Sequence, residues 1–223
     1  MEEFIANNSA VMDRYDPAKK VGFAVDEWGT WYDPEPGREP QFLYQQNTLR
    51  DALVAALNLN IFMRHADRVR MANIAQTINV LQAMILTRGP KMILTPTYHI
   101  FRMFVPFQDA TALPVELHAP AYRLGEVSVP GLSASAARRS DGRVVLSLIN
   151  LNPHRAVPTA VTIRGVTARR VSGEILTAAT MDAHNTFENP RAVRPVAFTG
   201  ATLHDGALEL TLPAKCVVVL SLE

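Results

Sequence analysis

Apolar positions recur along this chain in two rhythms, and the change between them falls near residue 110. In the first half, Val21, Gly22, Phe23, Ala24 and Val25 make a small-to-apolar run that stops at Asp26 and Glu27. A short apolar run bounded by polar residues suits a strand buried on both faces, as in a parallel sheet. Leu49, Leu53, Leu57 and Ile61, joined by Ala56 and Phe62, recur at three-to-four spacing. That stripe predicts a core-facing helix over 47–64, capped by Asn47 or Thr48, with Arg50, Asp51 and Arg64 off the stripe. A second strand is expected at 69–75, ending in Gln76 and Thr77. Strand, helix and strand with a helix-length crossover form a βαβ unit, hence two parallel neighbours with a right-handed connection. Residues 2–14 predict a short helix with Phe4, Ile5, Val11 and Met12 as apolar candidates. Three prolines and a glycine make 33–40 a loop. Further apolar material lies at 78–86 and 91–94, and Thr95-Pro96-Thr97 opens another helix, because Pro is tolerated in a first turn.

Beyond residue 110 the rhythm shortens to β-rich runs at 132–137, 143–150, 159–163, 168–176, 207–212 and 216–222. Asp141-Gly142 and Asp205-Gly206 stand between or before such runs as hairpin signals. Val144 to Ile149 and Cys216 to Leu222 are dense in β-branched and aliphatic residues. Runs of this length and spacing suit a β-sandwich or jelly roll. The chain therefore divides into an α/β part, 1–110, and an all-β part, 111–223.

Composition narrows the function classes. At 223 residues with a formal net charge of +1, the chain can bury a substantial core and carries no basic excess for nucleic acid or an anionic membrane surface. No stretch approaches the roughly 20 apolar residues that cross a bilayer, and the first residues carry acids and bases rather than a leader's apolar segment. Cys216 is the single cysteine, so no intrachain disulfide forms and a reducing, cytoplasmic setting is favoured. The histidines show no ligand-like spacing, so no metal site and no cofactor are expected. His65 and His99 read as packing or capping groups.

On pattern alone Asp26 and Glu27 admit two readings. They end a strand in solvent, or they stand on the carboxyl-terminal rim where α/β barrels place their chemistry. Adjacent residues on an extended strand face opposite sides, so the pair is not expected to converge on one bond, and Asp26 reads as a structural acceptor.

Several ordered blocks then resemble one family. They are Val25-Asp26-Glu27-Trp28-Gly29-Thr30-Trp31-Tyr32, Phe42 to Leu53, His65-Ala66-Asp67-Arg68-Val69, Met71 to Gln76, Leu94 to His99 and Leu212 to Val219. Together they resemble the α-L-arabinofuranosidases of glycoside hydrolase family 51. The resemblance implies the carboxyl-terminal part of a (β/α)8 barrel followed by a β-sandwich. It also implies a retaining glycosidase that releases terminal arabinofuranosyl units from arabinoxylan and arabinan. By that matching Glu27 is the nucleophile at the end of the seventh barrel strand. Gln76, at the end of the eighth, reaches the sugar or the nucleophile by hydrogen bond, and Trp31 lines the sugar site. Retaining hydrolysis needs two carboxyl groups about 5–5.5 Å apart, one attacking the anomeric carbon and one acting as acid, then base.

The chain departs from the family in one respect. The family's acid/base glutamate follows an asparagine on the fourth barrel strand, and no Asn-Glu pair stands among the roughly 20 residues before the first strand. A (β/α)8 barrel typically takes about 250 residues, and only two of its strands fit within 1–110. The expected partners are an arabinose-containing oligosaccharide and a covering for the exposed half-barrel: its own β-sandwich, a second copy, or an amino-terminal barrel portion. The isolated chain is expected to be inactive or severely impaired. A non-catalytic carbohydrate-binding or assembly module, or a related endoglucanase or β-xylosidase, is the alternative.

Overall fold

The computed structural model describes residues 1–166, 168–204 and 206–223. Helix α1 (Glu2–Asp13) precedes strand β1 (Phe23–Trp28), helix α2 (Leu49–Arg64) and strand β2 (Val69–Ile74). A hairpin of β3 (Ile85–Arg88) and β4 (Lys91–Leu94) leads into helix α3 (Pro96–Phe104). The remaining strands are β5 (Thr111–Leu113), β6 (Ala121–Leu124), β7 (Val127–Pro130), β8 (Leu132–Arg138), β9 (Val144–Asn150) and β10 (Val157–Thr162). They continue as β11 (Val171–Leu176), β12 (Val196–Ala197), β13 (Ala201–His204), β14 (Ala207–Leu212) and β15 (Cys216–Leu222).

Local chemistry starts α2 and α3 where the pattern expects them. Thr48 caps α2 in a capping box, with its backbone N–H donating to Asp51 Oδ2 at 2.7 Å and its hydroxyl at 2.9 Å. Thr95 caps α3 by accepting from the Tyr98 N–H at 3.3 Å, and Pro96 takes the first helical position. In α1 only Ile5 of the expected apolar set is buried, whereas Phe4 and Val11 face outward. Arg68, 1 % exposed, ties that helix down by donating to Asp13 and, at 2.8 Å, to Asp16. The α2 stripe is wider than its leucines suggest. Ala52, Ala55 and Asn60 are buried, and so is Asp51, contrary to its expected place off the stripe.

The all-β part is a sandwich of antiparallel sheets. One has six strands in the order β12-β11-β15-β9-β8-β5, and the other three, β10-β14-β13. The expected Asp141-Gly142 hairpin joins β8 to β9, with Gly142 at a φ of 87°. At the other expected hairpin β13 and β14 pair, with Gly206 between them, and Asp205 lies outside the described residues. Alternation along β9 and β15 sends Leu146, Leu148, Val218 and Leu220 against Leu208, Leu210 and Leu212 of the three-stranded sheet. The alternate positions Ile149, Val217 and Val219 pack instead against Leu49, Leu53 and Ala56 of α2 and Ile100 and Met103 of α3. Asn60 and the hydroxyls of Ser133 and Ser135 join α2 to β8 by side-chain hydrogen bonds of 3.1 and 2.7 Å. The six-stranded sheet is thus a middle layer, and of the three expected coverings for the half-barrel helices its own sandwich supplies one.

Strands β1 and β2 pair in parallel as expected, but the expected burial on both faces is not met. Phe23, Val25, Ala72 and Ile74 pack toward the helices, whereas Ala24, Asp26 and Asn73 are exposed and Met71 is 54 % exposed. Helices cover one face of this two-stranded sheet, and nothing among the described residues covers the other.

Candidate functional site

The carboxyl-terminal ends of β1 and β2 open into a shallow cleft of about 470 Å³. Its walls are Asp26, Glu27, Ile74, Ala75, Gln76, Thr77 and Ile78. Val25 pairs with Ala72 and Trp28 with Ile74, so three steps on β1 match two on β2. One extra residue of this kind is a bulge, and a bulge breaks strict alternation. Asp26 and Glu27 are both exposed and both stand among the residues that line the cleft.

Buried groups fix the chain directly behind these acids. Trp28 is buried, with its ring edge-on to Phe62 at 5.2 Å and stacked on Phe101 at 6.0 Å. Gly29 follows at a φ of 140°, and a Cβ there would stand 2.9 Å from Gln82 Oε1, so no larger residue fits without displacing Gln82. The Thr30 N–H donates to that same oxygen at 2.8 Å, and the Thr30 hydroxyl donates to Asp51 Oδ1 at 2.8 Å. The Tyr32 N–H donates to Gln45 Oε1 at 2.9 Å, while Gln45 Nε2 returns a bond to the Thr30 carbonyl at 3.2 Å. Gln82 Nε2 completes the set by donating to the Asp51 carbonyl at 2.7 Å and to the Thr97 hydroxyl at 3.0 Å. Gln45, Asp51 and Gln82 are all buried, so these bonds sit away from competing water.

On the β2 side the Ala75 N–H donates to the Trp28 carbonyl at 2.9 Å, and the Ala75–Gln76 peptide is cis. Glu27 and Gln76 both stand in the walls of the one cleft. Trp31 does not join them: its ring is 71 % exposed and lies outside the cleft walls, although Thr30 and Tyr32 on either side are tied inward. Burial raises the Tyr32 phenol above its ordinary pKa, and the Arg50 guanidinium 4.0 Å above its ring opposes that shift.

Chemically the cleft offers an exposed carboxylate beside an amide that can both donate and accept. The only other acid in its walls is Asp26, the neighbour of Glu27 on the same strand, so none stands opposite Glu27 among the described residues. No group of three or more His, Cys, Asp or Glu side chains fit to hold a metal ion occurs among the described residues.

The buried support of the rim escaped sequence reasoning. Thr48-x-x-Asp51 ahead of an apolar run is a capping-box signal, and it would have taken Asp51 off the solvent side. Gln82 is one amide inside the apolar run 78–86, and nothing local identifies its partners.

Comparison with known proteins agrees with this architecture. The family model of the α-L-arabinofuranosidase C-terminal domain matches residues 26–216. An intracellular exo-α-L-arabinofuranosidase of Bacteroides ovatus is 43 % identical over the whole chain, which corresponds to 44 % of that protein. The crystal structure of a family 51 arabinofuranosidase from Xanthomonas axonopodis pv. citri superposes with a TM-score of 0.98 at 54 % identity, over 100 % of this chain and 45 % of that one. The thermostable family 51 α-L-arabinofuranosidase of Thermotoga petrophila RKU-1 gives 0.83 at 25 % identity, over 99 % and 47 %. The chain thus spans a little under half the length of the relatives it matches. With a family match across most of its length and the same half-barrel and sandwich arrangement, this chain belongs to the C-terminal domain family of the glycoside hydrolase family 51 α-L-arabinofuranosidases.

Proposed function

We propose that this chain forms the nucleophile side of a retaining α-L-arabinofuranosidase, with Glu27 as the residue that attacks the anomeric carbon. The observation that carries the reading is the meeting of Glu27 and Gln76 at one cleft across two parallel neighbouring strands. In this reading Glu27 forms a glycosyl ester that water then releases, and the Gln76 amide hydrogen-bonds the sugar or holds the carboxylate in place. Trp31, outward in the chain as described, would line the sugar site once further barrel walls stand beside it. The proton donor comes from a carboxyl group opposite Glu27, on polypeptide beyond the half-barrel described here. Residues 1–110 are then the seventh and eighth strand units of the barrel and 111–223 the sandwich. That division is supported by Thr111 being the first residue to pair with the six-stranded sheet.

The substrate in this reading is an arabinose-containing oligosaccharide, in line with the names of the relatives. A cytoplasmic setting is supported by the single buried Cys216 and by the intracellular designation of the Bacteroides protein. By itself the chain is expected to hydrolyse p-nitrophenyl α-L-arabinofuranoside at a rate lowered by at least the roughly 10²–10⁴-fold that general acid catalysis contributes. Supplying the remaining barrel polypeptide should restore turnover, and Glu27→Gln should abolish it. Undiminished hydrolysis by Glu27→Gln would remove the nucleophile assignment.

A further inference from the structure

Glu27 and Gln76 are both exposed, so packing does little to hold either side chain. Where each begins is set by the backbone beside it, Trp28 to Thr30 on one strand end and Ala75 on the other. One residue bonds to both. The Gln82 backbone N–H donates to the Ala75 carbonyl at 3.1 Å, next to Gln76. Its side-chain Oε1 accepts from the Thr30 N–H at 2.8 Å, just past Glu27. The Ala75 N–H in turn donates to the Trp28 carbonyl at 2.9 Å. These bonds close a ring through Trp28, Thr30, Gln82 and Ala75 that spans the two strand ends.

The amide that closes this ring is held in one orientation. Nε2 donates to the Asp51 carbonyl on α2 at 2.7 Å and to the Thr97 hydroxyl on α3 at 3.0 Å. Gln82, Asp51 and Thr97 are each 0 % exposed. With both amide hydrogens so engaged, Oε1 is the end turned to Thr30. A buried amide with partners at both ends is rigid. Gly29 lets the strand approach it, because a Cβ there would stand 2.9 Å from the same oxygen. An amide that only satisfied the core would need its helix partners and no tie to both strand ends.

We infer that Gln82 is a positioning residue for this cleft, holding the Glu27 carboxylate and the Gln76 amide at one fixed separation through the backbone ring. The role rests on the reading of Glu27 as nucleophile and goes beyond it, since a residue outside the cleft walls then sets the geometry of attack. Displacing reacting groups by about 1 Å can cost roughly 10²-fold in rate, even when the change lies away from the chemistry. Thr30 and Ala75 lead into Trp31 and Gln76, so the same displacement also weakens the hold on the sugar.

The test is Gln82→Met, which keeps the side-chain length and removes the amide. In the chain alone, hydrogen exchange read by NMR should quicken about fivefold at both the Thr30 and the Ala75 amides, the worth of one hydrogen bond. Both should quicken by more than Leu148 in β9, which reports global unfolding. Quickening at Thr30 but not at Ala75 overturns the inference, because the two strand ends are then independent, and equal quickening at all three overturns it as well. In the chain assembled with the polypeptide that completes the barrel, kcat on p-nitrophenyl α-L-arabinofuranoside should fall about 10²-fold while KM rises about fivefold. An unchanged KM overturns the inference, since a smaller folded fraction lowers kcat alone. Glu27→Gln in the same assembly separates the two levels. Hydrolysis retained there removes the nucleophile reading itself, whereas its loss beside parental kinetics in Gln82→Met removes only the role of Gln82. Should Gln82→Met not fold, Thr97→Val takes away one acceptor of Nε2 and is read in the same way, with smaller changes of the same sign.

Discussion

Two sheets in this molecule are built from similar apolar runs and meet their surroundings differently. Strands β9 and β15 lie between the three-stranded sheet on one side and α2 and α3 on the other, and nearly every residue of both is buried. Strands β1 and β2 rest on the same helices with one face and leave the other open, with Ala24, Asp26, Met71 and Asn73 exposed. In the middle layer side chains of either parity are buried, so the segments are mostly aliphatic. In the half-barrel the two parities separate as far as the bulge, one holding the helices and the other exposed. Stability and the candidate chemistry are therefore carried by different strands.

That contrast predicts where substitutions matter. The largest effect belongs to the middle layer: Leu220→Ala should cost roughly 2–5 kcal/mol in urea denaturation, because its neighbours on both sheets cannot collapse onto the gap. A loss under about 1 kcal/mol would mean the two sheets are not packed as described. Next comes the support behind the rim. Asp51→Ala removes the acceptor for Thr30 and for the Thr48 cap, and should cost about 2–3 kcal/mol while loosening the 29–32 loop in hydrogen exchange. If that loop keeps its protection, the rim is held by other contacts.

Cys216 gives a chemical probe of the middle layer. Burial pushes its thiol up to about 12, with the Asn150 backbone opposing slightly. A thiol reagent at pH 8 should therefore label it only as the chain unfolds. Rapid labelling of the folded chain would show that the end of β15 opens on its own.

The acid side offers a smaller effect. A side-chain hydrogen bond from Arg143 is the main cause that lowers the Asp141 carboxyl to about 2 from 3.8. A carboxyl lowered in the folded state stabilises fully above its unfolded value, and that contribution is lost as pH falls from about 4 toward 2. The Tm gap between the parent chain and Asp141→Asn should accordingly shrink across that window. A constant gap would assign the effect to packing. Smallest of all is the open face of the half-barrel, where Met71→Ser should change stability by no more than about 0.5 kcal/mol in the isolated chain. A loss as large as that of Leu220→Ala would show that this face is covered in solution.

Much of the fold is legible in the chain because it depends on local rules. Three-to-four spacing located α2, Thr95-Pro96 located the start of α3, and Asp141-Gly142 located the β8–β9 turn. The β6–β7 ribbon went unread although Gly125-Glu126 between Leu124 and Val127 is a Gly-first hairpin signal, with Gly125 at a φ of 58°. Its strands are only four residues each, too short for a period to stand out. At the candidate site Glu27 and Gln76 were legible through resemblance, and the parallel pairing of β1 and β2 brings them to one cleft. The bulge between Val25 and Trp28 was not legible, since a register shift depends on the partner strand. One-face burial of β1 was equally hidden, because an apolar run does not state how many neighbours it finds.

The account rests on Glu27 as the attacking carboxylate, and a covalent intermediate reports that most directly. The chain, assembled with the polypeptide that completes the barrel, would be quenched in acid during turnover of p-nitrophenyl α-L-arabinofuranoside and digested for peptide mass spectrometry. The account predicts the mass of one arabinosyl unit on the peptide containing Glu27, absent in Glu27→Gln. The same mass on a peptide carrying a different carboxylate would contradict it.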